Sequence, residues 1–229
     1  MIEALFHSIQ MQMAQSSEPK TVFLLNGEST VDLAGGAVFT ADANGMLAWA
    51  VTEDLTFGHC FTNAGPFNNL GYWTLSTEEF LDPSRKNWTF ECRAKSSSTS
   101  FQKYLELRNG ISPESAILYV CNYYSDQNVA AAYTAAGQVV ASYQGPRVAD
   151  QWYHFAVSCE FIPSGNYYCV RFFQDGVLKT TYVRSWFIAP FDRIHVAHGL
   201  ETFVDEVRLS RVCRYKVNFT PPTASFELD

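Results

Sequence analysis

No apolar run in this chain approaches the ~20 residues that a membrane-crossing helix needs, so the sequence predicts no membrane insertion. Charge is sparse: 17% of the 229 residues are Asp, Glu, Lys or Arg, and the formal net charge is −7. Such a surface lacks the basic excess that a phosphate backbone requires, which argues against a nucleic-acid partner. Of the six cysteines, none forms a Cys-x-x-C pair, and they are too few for a disulfide framework. Most read as small buried hydrophobes. Cys159 and Cys169 flank the turn Ile162 to Asn166 and are the one pair that could face each other across a hairpin. A secretion signal is missing too: Glu3 stands where Lys or Arg would be expected, and no continuous apolar core follows. The expectation is therefore a chain outside the secretory route, with reduced thiols. The glycosylation patterns at Asn87 and Asn218 then read as coincidence. Neither an internal repeat nor a low-complexity linker occurs, and no Gly-x-Ser-x-Gly, P-loop or dinucleotide fingerprint is present.

What the sequence does contain is apolar and aromatic residues, 47% and 15%, enough to exclude whole-chain disorder and to favour pleated, packed sheets. Residues 1–19 differ from the rest. Ile2, Leu5, Phe6, Ile9 and Met13 follow a helical stripe and predict a short amphipathic arm that must pack on its own domain, on another copy or on a partner. From residue 20 to 229 the pattern is one of short alternating segments separated by turns. Asn44-Gly45 and Asp175-Gly176 each lie between two β-prone runs and predict tight hairpins. In the segment 87–95, Trp88, Phe90, Cys92 and Ala94 fall on one face and Thr89, Glu91, Arg93 and Lys95 on the other, a half-buried strand. The alanine-rich stretch 128–144 would suit a helix, but Gly137 and its β-branched flanks point to two short strands. A dozen or so strands with no internal helix predict an all-β, two-sheet antiparallel sandwich, with the helical arm ahead of it.

Specific residues then carry a resemblance. Trp152-x-His154, Asp175-Gly176, Asp205-Glu206-Val207-Arg208, Arg214-Tyr215 and Asn218 through Thr223 resemble the laminin-G-like branch of the concanavalin A-like jelly rolls, in the form found in bacteriophage virion and tail-fibre proteins. The likeness runs from about Phe61 to Phe226, and this chain has Cys213 where many relatives have alanine. It implies a jelly roll whose last strand carries Phe203, Asp205, Val207 and Leu209 on one face. Pro221 and Pro222 cannot join a ladder, so the chain beyond should leave the sheet as a strap packed through Tyr215, Phe219 and Phe226.

Function is less sharply written. Retaining hydrolases of the wider fold need two carboxyls about 5 Å apart. The nearest match is Glu201 and Asp205 on one strand face, but Phe203 stands between them and Glu206 points away, so no catalysis is expected. His195 and His198 lack metal-ligand spacing. Calcium at the sandwich rim stays open, because relatives sometimes carry it, although Asp126, Asp150 and Asp192 single out no site. Aromatic platforms beside amides and carboxylates suit sugar. The candidates are Asn69, Tyr72 and Trp73, with Asn68 beside them; Tyr123, Tyr124 and Asp126, with Asn128; and Trp186. Core packing is the competing account of each aromatic. The resemblance implies a non-catalytic virion component on tail, fibre or capsid, assembled in the host cytoplasm. Its sandwich would attach to cell-surface glycan, and its arm would join other virion proteins or its own copies. A ligand-free decoration protein and a glycan-processing enzyme or its binding module are the alternatives.

Overall fold

The structure, a computed structural model of the chain, describes residues 21–26, 32–34, 37–41, 49–54, 58–63, 71–75, 87–108, 116–123, 126–133, 139–185, 191–197 and 201–229. Its strands in chain order are β1 (Thr21–Leu25), β2 (Ala37–Ala41), β3 (Trp49–Asp54), β4 (Gly58–Asn63), β5 (Gly71–Leu75), β6 (Trp88–Ser96), β7 (Gln102–Arg108) and β8 (Ala116–Tyr123), followed by β9 (Gln127–Tyr133), β10 (Val139–Pro146), β11 (Tyr153–Ile162), β12 (Tyr167–Gln174), β13 (Val177–Arg184), β14 (Arg193–Val196) and β15 (Thr202–Ser210). Among the described residues the only helical piece is a 3-10 turn, Pro163–Gly165. The arm residues Ile2, Leu5, Phe6, Ile9 and Met13 and the Asn44-Gly45 turn lie outside the described residues.

All pairings among the described residues are antiparallel. One sheet runs β13-β12-β11-β6-β15-β4-β3, with β1 also on β15; the other runs β10-β9-β8-β7-β14-β5-β2. The sheets stack through a core of alternate residues from both. Phe23, Phe61, Phe90, Phe155, Phe172 and Val204 come from the first sheet, and Tyr104, Leu107, Leu118 and Ile194 from the second. Each large side chain so buried contributes roughly 1.5–3 kcal/mol. Trp88, Phe90, Cys92 and Ala94 face this core as their spacing predicts. The alanine-rich stretch forms β9 and β10, and Asp175-Gly176 makes the tight β12–β13 turn, with φ of 52° and 72°.

Two expectations change. β6 is buried on both faces: Thr89 is 0% and Glu91 1% exposed, because the C-terminal strap covers the side that alternation assigns to solvent. β15 does not alternate strictly. Asp205 pairs with Arg93 and Arg208 with Glu91, so Glu206 and Val207 together oppose Cys92 alone. This is a β-bulge, with Glu206 at φ 51°. The extra residue inverts the pattern: Val207 and Leu209 join Val204 in the core, whereas Phe203 and Asp205 share the outer face with Arg208.

Register also settles the cysteine pair. Cys159 lies opposite Val170, and Cys169 opposite Glu160. An offset of one residue puts the two thiols on opposite faces, where no bridge can form, and all six cysteines are free. Burial pushes the Cys92 and Cys159 thiols up and takes Cys121 to about 12, so these are inert packing groups.

Candidate functional site

The outer face of the first sheet is built around Glu91. β11 pairs with β6 so that His154 stands beside Arg93, and β15 sets Arg208 beside Glu91. Glu91 accepts hydrogen bonds from Arg208 Nε at 2.9 Å and from Tyr215 Oη at 2.8 Å, and lies 3.2 Å from His154 Nε2. Burial opposes its charge, but the His154 contact and the Arg208 guanidinium outweigh that and hold its pKa below the usual carboxylate value. Burial also drives the Tyr215 hydroxyl upward, helped by the charge of Glu91, so Tyr215 stays a donor.

The strap, residues 211–229, is the lid on this network. It begins at Thr89, whose hydroxyl donates to the Val212 carbonyl at 2.8 Å and accepts the Arg214 N–H at 2.8 Å. Tyr215 and Phe219 stack at 3.6 Å, and the Phe219 N–H reaches the Gly176 carbonyl at 2.9 Å. A side chain at Gly176 would strike the Phe219 carbonyl oxygen at 2.0 Å, so the glycine permits both the turn and the strap's close approach. Asn218 Oδ1 accepts the Leu178 N–H at 2.8 Å, and Asn87 Oδ1 accepts the Phe161 N–H at 2.9 Å, which gives both glycosylation-like asparagines a structural task. The return limb places Phe226 at 4.2 Å from the Arg208 guanidinium and edge-on to His154, with its N–H on Glu206 Oε2 at 2.5 Å. Asp229 finally meets Arg214 Nη2 at 2.7 Å and Thr21 Oγ1 at 2.5 Å, and its pKa sits at about 2: burial works against the charge, but these bonds prevail. The strap signature read in the sequence is thus a clamp for the sandwich.

Where the strap passes the β12–β13 turn it leaves a cleft of about 360 Å³, walled by Trp152, Arg93, Asp175, Thr220, Pro221 and Thr223. Trp152 precedes β11 in a connection pinned to the end of β6: the Asp150 N–H donates to the Ser96 carbonyl at 2.9 Å, and Arg147 Nη2 donates to the same carbonyl. The Arg93 guanidinium lies 5.2 Å, and the Lys95 ammonium 5.5 Å, from the Trp152 ring. Lys95 also pairs with Asp150 at 3.1 Å. Asp175 is held by accepting the His154 N–H on Oδ1 at 2.9 Å. An indole plane, a guanidinium, a carboxylate and hydroxyls therefore converge in one open recess, the kit that a sugar ring requires.

The residues selected from sequence are placed apart. Tyr72 and Trp73 belong to β5, where Trp73 pairs with Ile194. Tyr123 ends β8 and Asp126 is exposed in the turn after it; β14 and β7 separate β5 from β8 in the sheet. Asn69, Tyr124 and Trp186 lie outside the described residues. Glu201 is exposed in a turn, with its carboxylate 3.3 Å from Ser97 Oγ, whereas Asp205 has no exposed surface. Among the described residues no three His, Cys, Asp or Glu side chains gather as a metal site. Reading loop aromatics missed Trp152, Arg93 and Asp175. Trp152-x-His154 and Asp175-Gly176 were visible as motifs, but only the pairing of β6, β11 and β12 brings them together.

No known protein family matches this sequence, and neither does any curated protein. Solved structures do match in fold. The botulinum neurotoxin serotype D binding domain aligns with a TM-score of 0.62 and 9% identity, over 86% of this chain and 48% of its own. A structure of botulinum neurotoxin type C, whose cell entry is described as dependent upon interaction with two ganglioside molecules, aligns at 0.60 and 9%, over 86% and 49%. Trypanosoma rangeli sialidase aligns at 0.57 and 11%, over 86% and 31%. The chain spans about half the length of the neurotoxin chains and less of the sialidase. At these identities the likeness is one of fold: the chain is a two-sheet β-sandwich of the kind found in these binding domains and in a sialidase.

Proposed function

We propose that this protein is a non-catalytic virion component, carried on tail, fibre or capsid, whose sandwich attaches to host-surface glycan. The observation that carries the glycan reading is the Trp152 cleft, where an aromatic plane meets Arg93, Asp175 and two threonines in an open recess. Support comes from the neighbours in fold, one described with gangliosides and one named a sialidase. The virion placement rests on the phage-like strap signature from Asp205 to Thr223. Assembly in the host cytoplasm and docking through Ile2, Leu5, Phe6, Ile9 and Met13 belong to the same proposal.

A glycan array probed with the full chain and with Trp152→Ala tests the first part. The expected result is saccharide binding by the wild type that the variant loses. Binding of no saccharide would overturn it in favour of a ligand-free decoration protein. Release of reducing ends from bound glycan would replace it with an enzyme. Immunogold labelling of purified particles tests the placement: decoration of tail or capsid is expected, and unlabelled particles would refute it.

A further inference from the structure

We propose that the Trp152 cleft takes an uncharged sugar through a pair of neighbouring hydroxyls and discriminates against carboxylated sugars. The inference rests on the glycan-binding reading above and specifies its ligand class.

The charges around the cleft decide the matter. Arg93 is the permanent cation in its wall and Asp175 the anion, and His154, which also lines it, lies with Nε2 3.2 Å from the Glu91 carboxylate. Asp175 is fixed in place, at φ 52° in the β12–β13 turn, with Oδ1 engaged by the His154 N–H and Oδ2 left to accept. The other nearby cation, Lys95, is already paired with Asp150 at 3.1 Å. Glu206 lies within electrostatic reach of Arg93. A carboxylate arriving beside Trp152 would therefore meet Asp175 and Asp150 as well as the two cations, and would find no net positive field. The chain's charge of −7 adds a repulsive background to acidic polymers.

Hydroxyls use the same mixture well. A carboxylate oxygen accepts one O–H, and a guanidinium lining the same cleft donates to a neighbouring sugar oxygen. Trp152 and Pro221 line the cleft and offer apolar surface to the C–H side of the ring, and Thr220 and Thr223 add hydroxyls to the same lining. A cleft of about 360 Å³ lies at the small end of ligand pockets, room for about one or two rings.

The test is an array of matched pairs probed with the full chain: neutral oligosaccharides ending in glucose, galactose or mannose, and the same chains ending in sialic acid or in the C6-oxidised uronic acid. Calorimetry with the best neutral ligand then compares wild type, Trp152→Ala and Asp175→Asn. The neutral member of a pair should bind about tenfold tighter than either acidic one, and both substitutions should weaken it by about tenfold. Asn tolerates the left-handed turn and keeps an oxygen for the His154 N–H, so Asp175→Asn carries the test even if Trp152→Ala fails to fold. Equal or tighter binding of a sialylated or uronic member would overturn the ligand class and leave glycan binding standing. Neutral binding unmoved by Asp175→Asn would overturn the site. No binding to any member of any pair would sink both this inference and the reading beneath it.

Discussion

Glu91 is a carboxylate with 1% of its surface exposed, tolerable only because Arg208, Tyr215 and His154 converge on it. Glu91→Ala would leave the Arg208 charge buried without its partner and should cost about 3–5 kcal/mol, read as a lower midpoint in urea with an unchanged slope. A wild-type midpoint in the variant would show that the network adds no stability. Because the folded pKa of Glu91 lies below the unfolded value, its stabilisation is complete above the ordinary carboxylate range. It is lost as pH falls through the folded value. Glu206 behaves in the opposite way. Burial raises its pKa, despite the Phe226 N–H on its carboxylate, so folding favours the protonated form. Its penalty grows as pH rises from the unfolded value to the raised folded one, and is constant above. Glu206→Gln keeps an oxygen for the Phe226 N–H and should therefore gain stability relative to wild type above that window and none below it. Melting curves across pH check both signs. Such behaviour was hidden in the sequence, where Asp205-Glu206-Val207-Arg208 reads as a strand: the bulge that turns Glu206 under the strap comes from pairing two residues against Cys92.

At the scale of elements the strap is the part whose ending the sequence explains and whose seat it does not. Pro221 and Pro222 forbid a ladder, and Tyr215, Phe219 and Phe226 supply the packing surface. What they pack on is the outer face of β6, β11, β12 and β15, which alternation alone would have left to water. Phe226 is 6% exposed and contacts both His154 and Arg208, so Phe226→Ala should cost about 3 kcal/mol and speed proteolysis at the C-terminal limb. Gly176→Ala combines a φ of 72° with a clash against the Phe219 carbonyl and should lift the outward limb in the same assay. Equal digestion rates for wild type and both variants would mean that the strap is held elsewhere. Asn218 and the bulge at Leu178 and Lys179 also blunt the outer side of β13, which ends its sheet among the described residues and would otherwise offer backbone to another sheet.

For the whole molecule, the thiols give a clear expectation. No bridge joins the sheets, so reductant should leave Tm unchanged; a fall in Tm would reveal a disulfide that the register of β11 and β12 forbids. Sequence by itself determined the class of fold, since period-two patterning, turn dipeptides and abundant aromatics are local signals that each strand carries alone. It determined the strap as well, because proline excludes a ladder wherever it falls. Only the tertiary structure decided which faces are wet, which parity β15 follows past Glu206, and that Cys159 and Cys169 point apart. It alone brought Arg93, Trp152 and Asp175, which are 59 and 23 residues apart in turn, to one recess. The physical reason is that register and strand order are set by contacts summed over two whole sheets. A site built between β6, β11, the β12–β13 turn and the strap has no local pattern for a sequence to display.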